Sequence, residues 1–292
     1  QFMIKKGIIL AGGKGTRMSP LTKAVNKQLL PLYDKPLIFY PLSVLMLAGI
    51  KDILIIVNKG QLSQFKKILQ DGSRFGVKLT YLEQSKPRGL PDAFILGEKF
   101  ISEDKVALIL GDNFFYGQSL TKKLKNCIKL SRGCKIIIHP VSKPDLYGIA
   151  YTNSKKRIIS IKEKPKNSKS NLAITGLYFF DNSVVKLSKT LKPSKRNELE
   201  MVDLLNKYKS KNNLRVEFLG RGGAWLDTGS MEDYYNTSAF VSSLENRQGL
   251  KIACLEEIAF KNNWISKNDL KNAINFYGNC NYSKYLKSLI NA

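Results

Sequence analysis

Residues 7–18 read GIILAGGKGTRM, an apolar run that passes straight into a glycine-rich turn and closes on an arginine. Gly12, Gly13 and Gly15 permit backbone conformations and close approaches that a Cβ would block, so successive amide N–H groups can face phosphate oxygens. Arg17 adds a planar charged fork suited to a triphosphate. Further on, Lys27 in the run NKQLLP (26–31) offers a second, point-like cation for the same phosphates. The turn is not a P-loop, because Lys14 is followed by Gly15 where that motif needs Ser or Thr. Nor is it the dinucleotide fingerprint, because Met18 stands where a glycine or alanine is needed.

Working outward from this turn, β-rich runs at 6–10, 53–57, 77–83 and 106–110 alternate with helix-like stretches. That order predicts a parallel sheet covered on both faces. Pro36 is expected to open a first helix that runs to Leu47 and stops at Gly49. Residues 61–70 and 92–100 read as the next crossovers. Ligands gather at the carboxyl ends of such strands. The glycine turn follows the first strand, Gln84 the third, and Gly111-Asp112-Asn113 the fourth, so three stretches singled out for their chemistry share one edge. After residue 133 the pattern is mixed, with strands expected at 135–138, 149–151, 158–161, 173–180, 216–219 and 224–226 and a helix at 199–208. The last strand leads into Asp227. From about residue 234 the chain reads as helices, with an irregular link at 249–257.

The 48 basic and 23 acidic residues give a formal charge of +25, a balance that raises nucleic acid or an acidic membrane surface as a partner. The cations are mostly scattered lysines without an arginine-rich run or basic-aromatic repeat, so they read as a solvated surface that gathers anionic substrates. No specific nucleic-acid partner is expected. No apolar run approaches the ~20 residues that a membrane span needs, and no signal-peptide pattern is seen; Gln1 and Phe2, ahead of Met3, are left out of the fold reading. Cys127, Cys134, Cys254 and Cys280 lack CxxC spacing and stand near no histidine cluster, which points to a reduced, cytoplasmic protein. The sole histidine, His139, follows three isoleucines and reads as a strand-end packing residue, which argues against histidine-dependent hydrolysis.

Seven stretches in order, LAGGKGTRM (10–18), NKQLLPLYDKP (26–36), LGDNFFYG (110–117), EKP (163–165), TGLYFF (175–180), AWLDTG (224–229) and LENRQGLKIAC (244–254), make the chain resemble the sugar nucleotidyltransferases, which join a sugar 1-phosphate to a nucleoside triphosphate. The likeness covers essentially the whole length and is strongest to the bacterial branch that uses dTTP and glucose 1-phosphate for deoxysugar synthesis. It implies a Rossmann-like α/β fold with a mixed, mainly parallel central sheet. A nucleotidyltransferase domain at 3–240 would carry a helical extension at 241–292.

The resemblance also implies roles. Leu10, Gly12, Gly13, Gly15 and Thr16 would bind nucleotide beside Arg17 and Lys27, and Gln84 and Gly89 match the base-recognition segment. An amide that donates and accepts suits the imide edge of thymine or uracil, while a single 5-methyl group is worth only ~1–3 kcal/mol. Asp112, also placed at the nucleotide, and Asp227 would hold Mg2+, consistent with that ion's use of one or two carboxylates completed by phosphates. Lys164 would neutralise the sugar phosphate, with Glu163 accepting from glucose hydroxyls alongside backbone groups near Gly148 and Thr175, and with Asn113 and Tyr147 also at the sugar. Tyr116 and Arg221 would serve a second site, with dTDP-rhamnose as a feedback ligand. Departures from the family pattern occur at Arg88, Pro91-Asp92, Gln118 and Gly223. A homotetramer is implied as well. The alternatives are a UTP-dependent uridylyltransferase and a non-catalytic dTDP-sugar sensor, with nucleic-acid binding a weaker third.

Overall fold

The computed structural model describes residues 3–13 and 15–291. In chain order the strands are β1 (Lys6–Ala11), β2 (Pro31–Leu32), β3 (Lys35–Pro36), β4 (Asp52–Asn58), β5 (Lys78–Gln84), β6 (Val106–Leu110), β7 (Asn113–Gly117), β8 (Cys134–Pro140), β9 (Gly148–Thr152), β10 (Ile158–Glu163), β11 (Leu172–Phe180), β12 (Leu214–Phe218) and β13 (Gly223–Asp227). The helices are α1 (Phe39–Ala48), α2 (Leu62–Leu69), α3 (Asp92–Leu96), α4 (Glu98–Ile101), α5 (Leu120–Cys127), α6 (Ser183–Lys189), α7 (Met201–Ser210), α8 (Met231–Gln248), α9 (Leu255–Lys261), α10 (Lys267–Tyr277) and α11 (Asn281–Asn291).

β1 lies between β4 and β6, all parallel, and β5 extends the same parallel set. Their continuous isoleucine, leucine and valine runs are buried because helices cover both faces. β11 then joins antiparallel to β6 and passes on to β8, which carries β12 in parallel, while β9 and β10 form an antiparallel pair. The result is the mixed, mainly parallel sheet expected from the sequence. One face packs on α1, α2, α5 and the C-terminal helices through residues such as Phe39, Phe65, Leu124, Leu255 and Leu270. The other packs on α3, α6 and α7 through Phe94, Val184, Leu204 and Tyr208.

Some boundaries differ from the reading. Pro36 sits in β3, and α1 begins three residues later with Pro41 in its first turn, where a missing N–H breaks no helical hydrogen bond. Gly49 ends that helix at φ 93°, as expected. The 92–100 crossover divides at Gly97 into α3 and α4. β7, α5 and α6 have no counterpart in the sequence reading. A single helix, α8, runs across residues 240 and 241. No helix among the described residues is long and apolar enough to cross a membrane.

Candidate active site

The carboxyl ends of β1, β5 and β6 open onto two adjoining cavities that share Gly12, Gly13 and Arg17. The smaller, about 250 Å³, is lined by backbone-rich and cationic groups including Gly15, Thr16 and Lys27, with Asp112 and Gly229 on its rim. The larger, about 430 Å³, is lined by Leu10, Gln84 and Gly89 together with Tyr147, Gly148, Glu163 and Lys164.

The glycine turn is set by its neighbours. A Cβ at Gly12 would lie 1.8 Å from Gln84 Nε2, so the buried Gln84 side chain occupies the space that a side chain at residue 12 would fill. Asn58, at the end of β4, then clasps the turn. Its Oδ1 accepts from Gly13 N–H at 3.1 Å and from Gln84 Nε2 at 3.2 Å, and its Nδ2 donates to the Gly13 carbonyl at 2.8 Å. The Gly13 N–H thus points at Asn58, where the sequence reading had it free for phosphate. Nothing in a lone Asn at a strand end marks this role. Lys14 lies outside the described residues.

Lys27 is only 9 % exposed, and its ammonium donates to Asp112 Oδ2 at 2.9 Å. Asn26 fixes it there by capping the short turn after it, accepting from Gln28 N–H at 2.8 Å, while its Nδ2 donates to the Ala11 carbonyl at 3.1 Å. Burial alone would push the Asp112 carboxyl up, but the charge and hydrogen bond of Lys27 hold it below the usual carboxylate value.

Asp112 and Asp227 meet because β7 and β13 pair antiparallel with Asp227 opposite Asn113. Thr228 fastens the junction, its N–H and hydroxyl both donating to the Asp112 carbonyl, at 3.1 and 2.9 Å. Asp227 Oδ1 accepts from the Tyr147 hydroxyl at 2.8 Å. Burial pushes the Asp227 carboxyl up, and the Asp112 charge adds to the shift against the opposing effect of the Tyr147 bond. Two hard oxygen donors, one paired with Lys27 and the other with only a neutral hydroxyl, keep a net negative charge that suits a divalent cation; among the described residues no third Asp, Glu, His or Cys joins them.

The side chains of two residues expected at the sugar, Asn113 and Thr175, are engaged within the protein, which leaves the backbone role expected near Thr175 open. Asn113 is 2 % exposed; its Oδ1 accepts from Gly176 N–H at 3.0 Å and Trp225 Nε1 at 2.6 Å, and its Nδ2 donates to Asp112 Oδ1 at 3.1 Å. Thr175 is fully buried, and its hydroxyl donates to the Ile137 carbonyl at 2.9 Å, while the neighbouring Ile174 lines the cavity. Glu163 does line it, and burial raises its carboxyl, with Lys164 opposing and Glu200 adding to the shift. Lys164 holds a strained φ of 41°, and its N–H donates to the Tyr147 carbonyl at 3.0 Å.

A segment that the sequence reading missed closes this side. Leu199 N–H donates to the Arg88 carbonyl at 2.8 Å, and a Cβ at Gly89, which sits at φ 101°, would lie 2.1 Å from the Leu199 carbonyl. The clip brings Arg196 into the cavity wall, 3.9 Å from Glu163 Oε1. Arg88 and Asp92, both departures from the family pattern, pair with each other at 2.9 Å. Tyr116 and Arg221 line neither cavity; Tyr116 packs on Phe240 near the far end of the β7–β13 ribbon.

The model of the nucleotidyl transferase family matches residues 6–243. Glucose-1-phosphate thymidylyltransferase of Neisseria meningitidis serogroup A is 50 % identical over 285 residues, covering 98 % of this chain and 99 % of that one. A solved structure from Bacillus anthracis, assigned as a glucose-1-phosphate thymidylyltransferase and holding sucrose, superposes with a TM-score of 0.75 at 37 % identity, covering 80 % of this chain and 94 % of that one. UDP-glucose pyrophosphorylase complexed with UDP-glucose superposes at 0.73 and 26 % identity, covering 83 % and 100 %. The chain belongs to the nucleotidyl transferase family.

Proposed function

We propose that this enzyme transfers a thymidylyl group from dTTP to α-D-glucose 1-phosphate, giving dTDP-glucose and pyrophosphate as the first step of deoxysugar synthesis. The observation that carries the reading is the end-to-end likeness to the meningococcal thymidylyltransferase, which outweighs the more distant likeness to a UDP-glucose enzyme. The cleft agrees with it. A recess lined by the glycine turn, Arg17 and Lys27 adjoins a chamber whose wall carries an amide, Gln84, a carboxylate, Glu163, and an ammonium, Lys164.

A phosphate oxygen of the sugar attacks the α-phosphorus, forming one P–O bond as the bond to the β-phosphate oxygen breaks. The nucleophile is already ionised, so the protein's task is to cancel charge and align two anions. Arg17 and Lys27 bind the triphosphate and stabilise the departing pyrophosphate. Lys164 and Arg196 draw the sugar phosphate in, and Glu163 accepts from glucose hydroxyls. Backbone groups of Leu10, Gly12, Gly15 and Thr16 surround the nucleotide, and Gln84 and Gly89 meet the base. Asp112 and Asp227 would hold Mg2+, which when bound supplies electrostatic stabilisation of the phosphates.

The proposal extends to a catalytic unit at 3–240 with 241–292 as a helical extension, assembly as a homotetramer, and a cytoplasmic setting in keeping with four free thiols. Tyr116, with Arg221 in the turn beyond the same ribbon, stands apart from the cleft, the arrangement needed for feedback by dTDP-rhamnose. Pyrophosphate release measured with dTTP, UTP, ATP and GTP, each with magnesium and with chelator, tests the reaction. Magnesium-dependent release greatest with dTTP is expected. A UTP optimum would move the enzyme to the uridylyl branch, and no release from folded protein would overturn the reading.

A further inference from the structure

We propose that Tyr147 is a positioning residue that sets the orientation of the Asp227 carboxylate and ties it to the sugar-phosphate side of the cleft. This rests on the metal reading above. The hydroxyl donates to Asp227 Oδ1 at 2.8 Å, and among the described residues no other side chain hydrogen-bonds that carboxylate. The same residue accepts at its backbone carbonyl from Lys164 N–H at 3.0 Å, so one residue spans from the strained lysine to the aspartate. Its ring stands edge-on to Trp225 at 5.2 Å, and Trp225 Nε1 donates to Asn113, which in turn donates to Asp112. Asp227 therefore takes its side-chain hydrogen bond from a neutral donor, Asp112 takes one from Asn113 beside the charged Lys27, and the two neutral donors are braced by one tryptophan.

Neutrality is what fits a phenol for this task. With Lys27 already on Asp112, a lysine or arginine on Asp227 would offset the remaining carboxylate charge as well, whereas a hydroxyl fixes one oxygen and leaves that charge in place. With Oδ1 so held, Oδ2 faces Gly229 and Arg17: the position of a Cβ at Gly229 is 3.2 Å from Asp227 Oδ2 and 3.3 Å from Arg17 Nη1. The free oxygen thus turns toward the triphosphate side. Without the hydroxyl the carboxylate loses its side-chain anchor, and more of its ordering falls to metal binding.

Tyr147→Phe keeps the ring against Trp225 and removes only the donor. The measurement is Mn2+ binding, read by electron paramagnetic resonance, in protein saturated with dTDP-glucose and free of pyrophosphate so that no turnover occurs. Y147F should bind Mn2+ about tenfold more weakly, in the range found when the outer partners of metal ligands are removed. Its Mg2+ activation constant should rise in parallel, with KM for glucose 1-phosphate within about twofold of wild type and an unchanged melting temperature. Wild-type Mn2+ affinity in Y147F overturns the inference, and a raised KM for the sugar phosphate beside it would make Tyr147 a sugar contact alone. Asp227→Asn separates the two levels: if that variant also binds Mn2+ like wild type, the metal assignment of Asp227 fails before the tyrosine is in question.

Discussion

The proposed nucleotide and sugar halves of the cleft each present an aspartate, and the two are shifted in opposite directions. Asp112, on the nucleotide side, has a lysine of its own chain at 2.9 Å and is held ionised despite burial. Asp227, reached from the sugar side, has only a neutral hydroxyl, and burial pushes its carboxyl up. Asp112 is thus balanced by a cation of its own chain, while Asp227 has a neutral partner and would gain its counter-charge from the bound metal. The difference follows from construction. The first half is a row of strand ends with their turns; the second is an antiparallel ribbon and a clip that bring together residues from 88 to 227.

The largest break in this contrast should come from Asp112→Asn. It removes the charge proposed to hold the metal and leaves Lys27 opposite a neutral amide, so kcat is expected to fall about 1,000-fold, ~4 kcal/mol of barrier. Circular dichroism and thermal melting should show an intact fold. Normal turnover would remove the metal role from Asp112.

Gly12→Ala strikes the nucleotide half alone. The added methyl would lie 1.8 Å from Gln84 Nε2 and 3.0 Å from Asn58 Oδ1, so the buried amide must move and its bond to Asn58 is lost. About 2 kcal/mol, or roughly thirtyfold in KM for dTTP, is the expected scale, with KM for glucose 1-phosphate little changed. An equal rise in both constants would show that the halves are not separable.

Glu163→Gln makes the reciprocal test. Losing a charged acceptor should raise KM for glucose 1-phosphate about tenfold and leave that for dTTP alone. Because burial raises the Glu163 carboxyl, its protonation begins at a higher pH than for a free glutamate. In the wild-type enzyme kcat/KM for the sugar phosphate therefore declines as pH falls through that raised value, and the glutamine variant should lack this component of the acid limb. Identical profiles for the two proteins would place Glu163 outside sugar recognition.

The same contrast governs what could be read from the chain. Strand, turn and cation follow one another within residues 7–27, so the parallel order and the glycine turn at the strand end were legible from apolar runs and glycine spacing. Asn58 was not, because an asparagine at a strand end looks like any turn residue until the strand that pairs with it is known. On the sugar side, Arg196 enters the wall only through the Gly89–Leu199 bridge, a contact between residues 110 positions apart that no local pattern encodes. Thr175 shows the limit most directly. Alternation puts Ile174 and Tyr178 on one face of β11 and Thr175 on the other, but which face meets the cavity depends on pairing with β8, whose register shifts between Ile174 and Tyr178.

Thr175→Val therefore carries the smallest expected effect and sharpens the comparison most. The hydroxyl is buried and spent on the Ile137 carbonyl, so replacing it should cost about 1 kcal/mol of stability in urea denaturation and leave KM for glucose 1-phosphate within about twofold. In that case Thr175 serves the sugar through its backbone and its place in β11, and the sugar half owes its shape to strand register where the nucleotide half owes it to a turn. A tenfold rise in KM with unchanged stability would instead mean that the hydroxyl leaves Ile137 for the sugar when substrate enters, and that the sugar half, like Asp227, completes its hydrogen bonding only around its ligand.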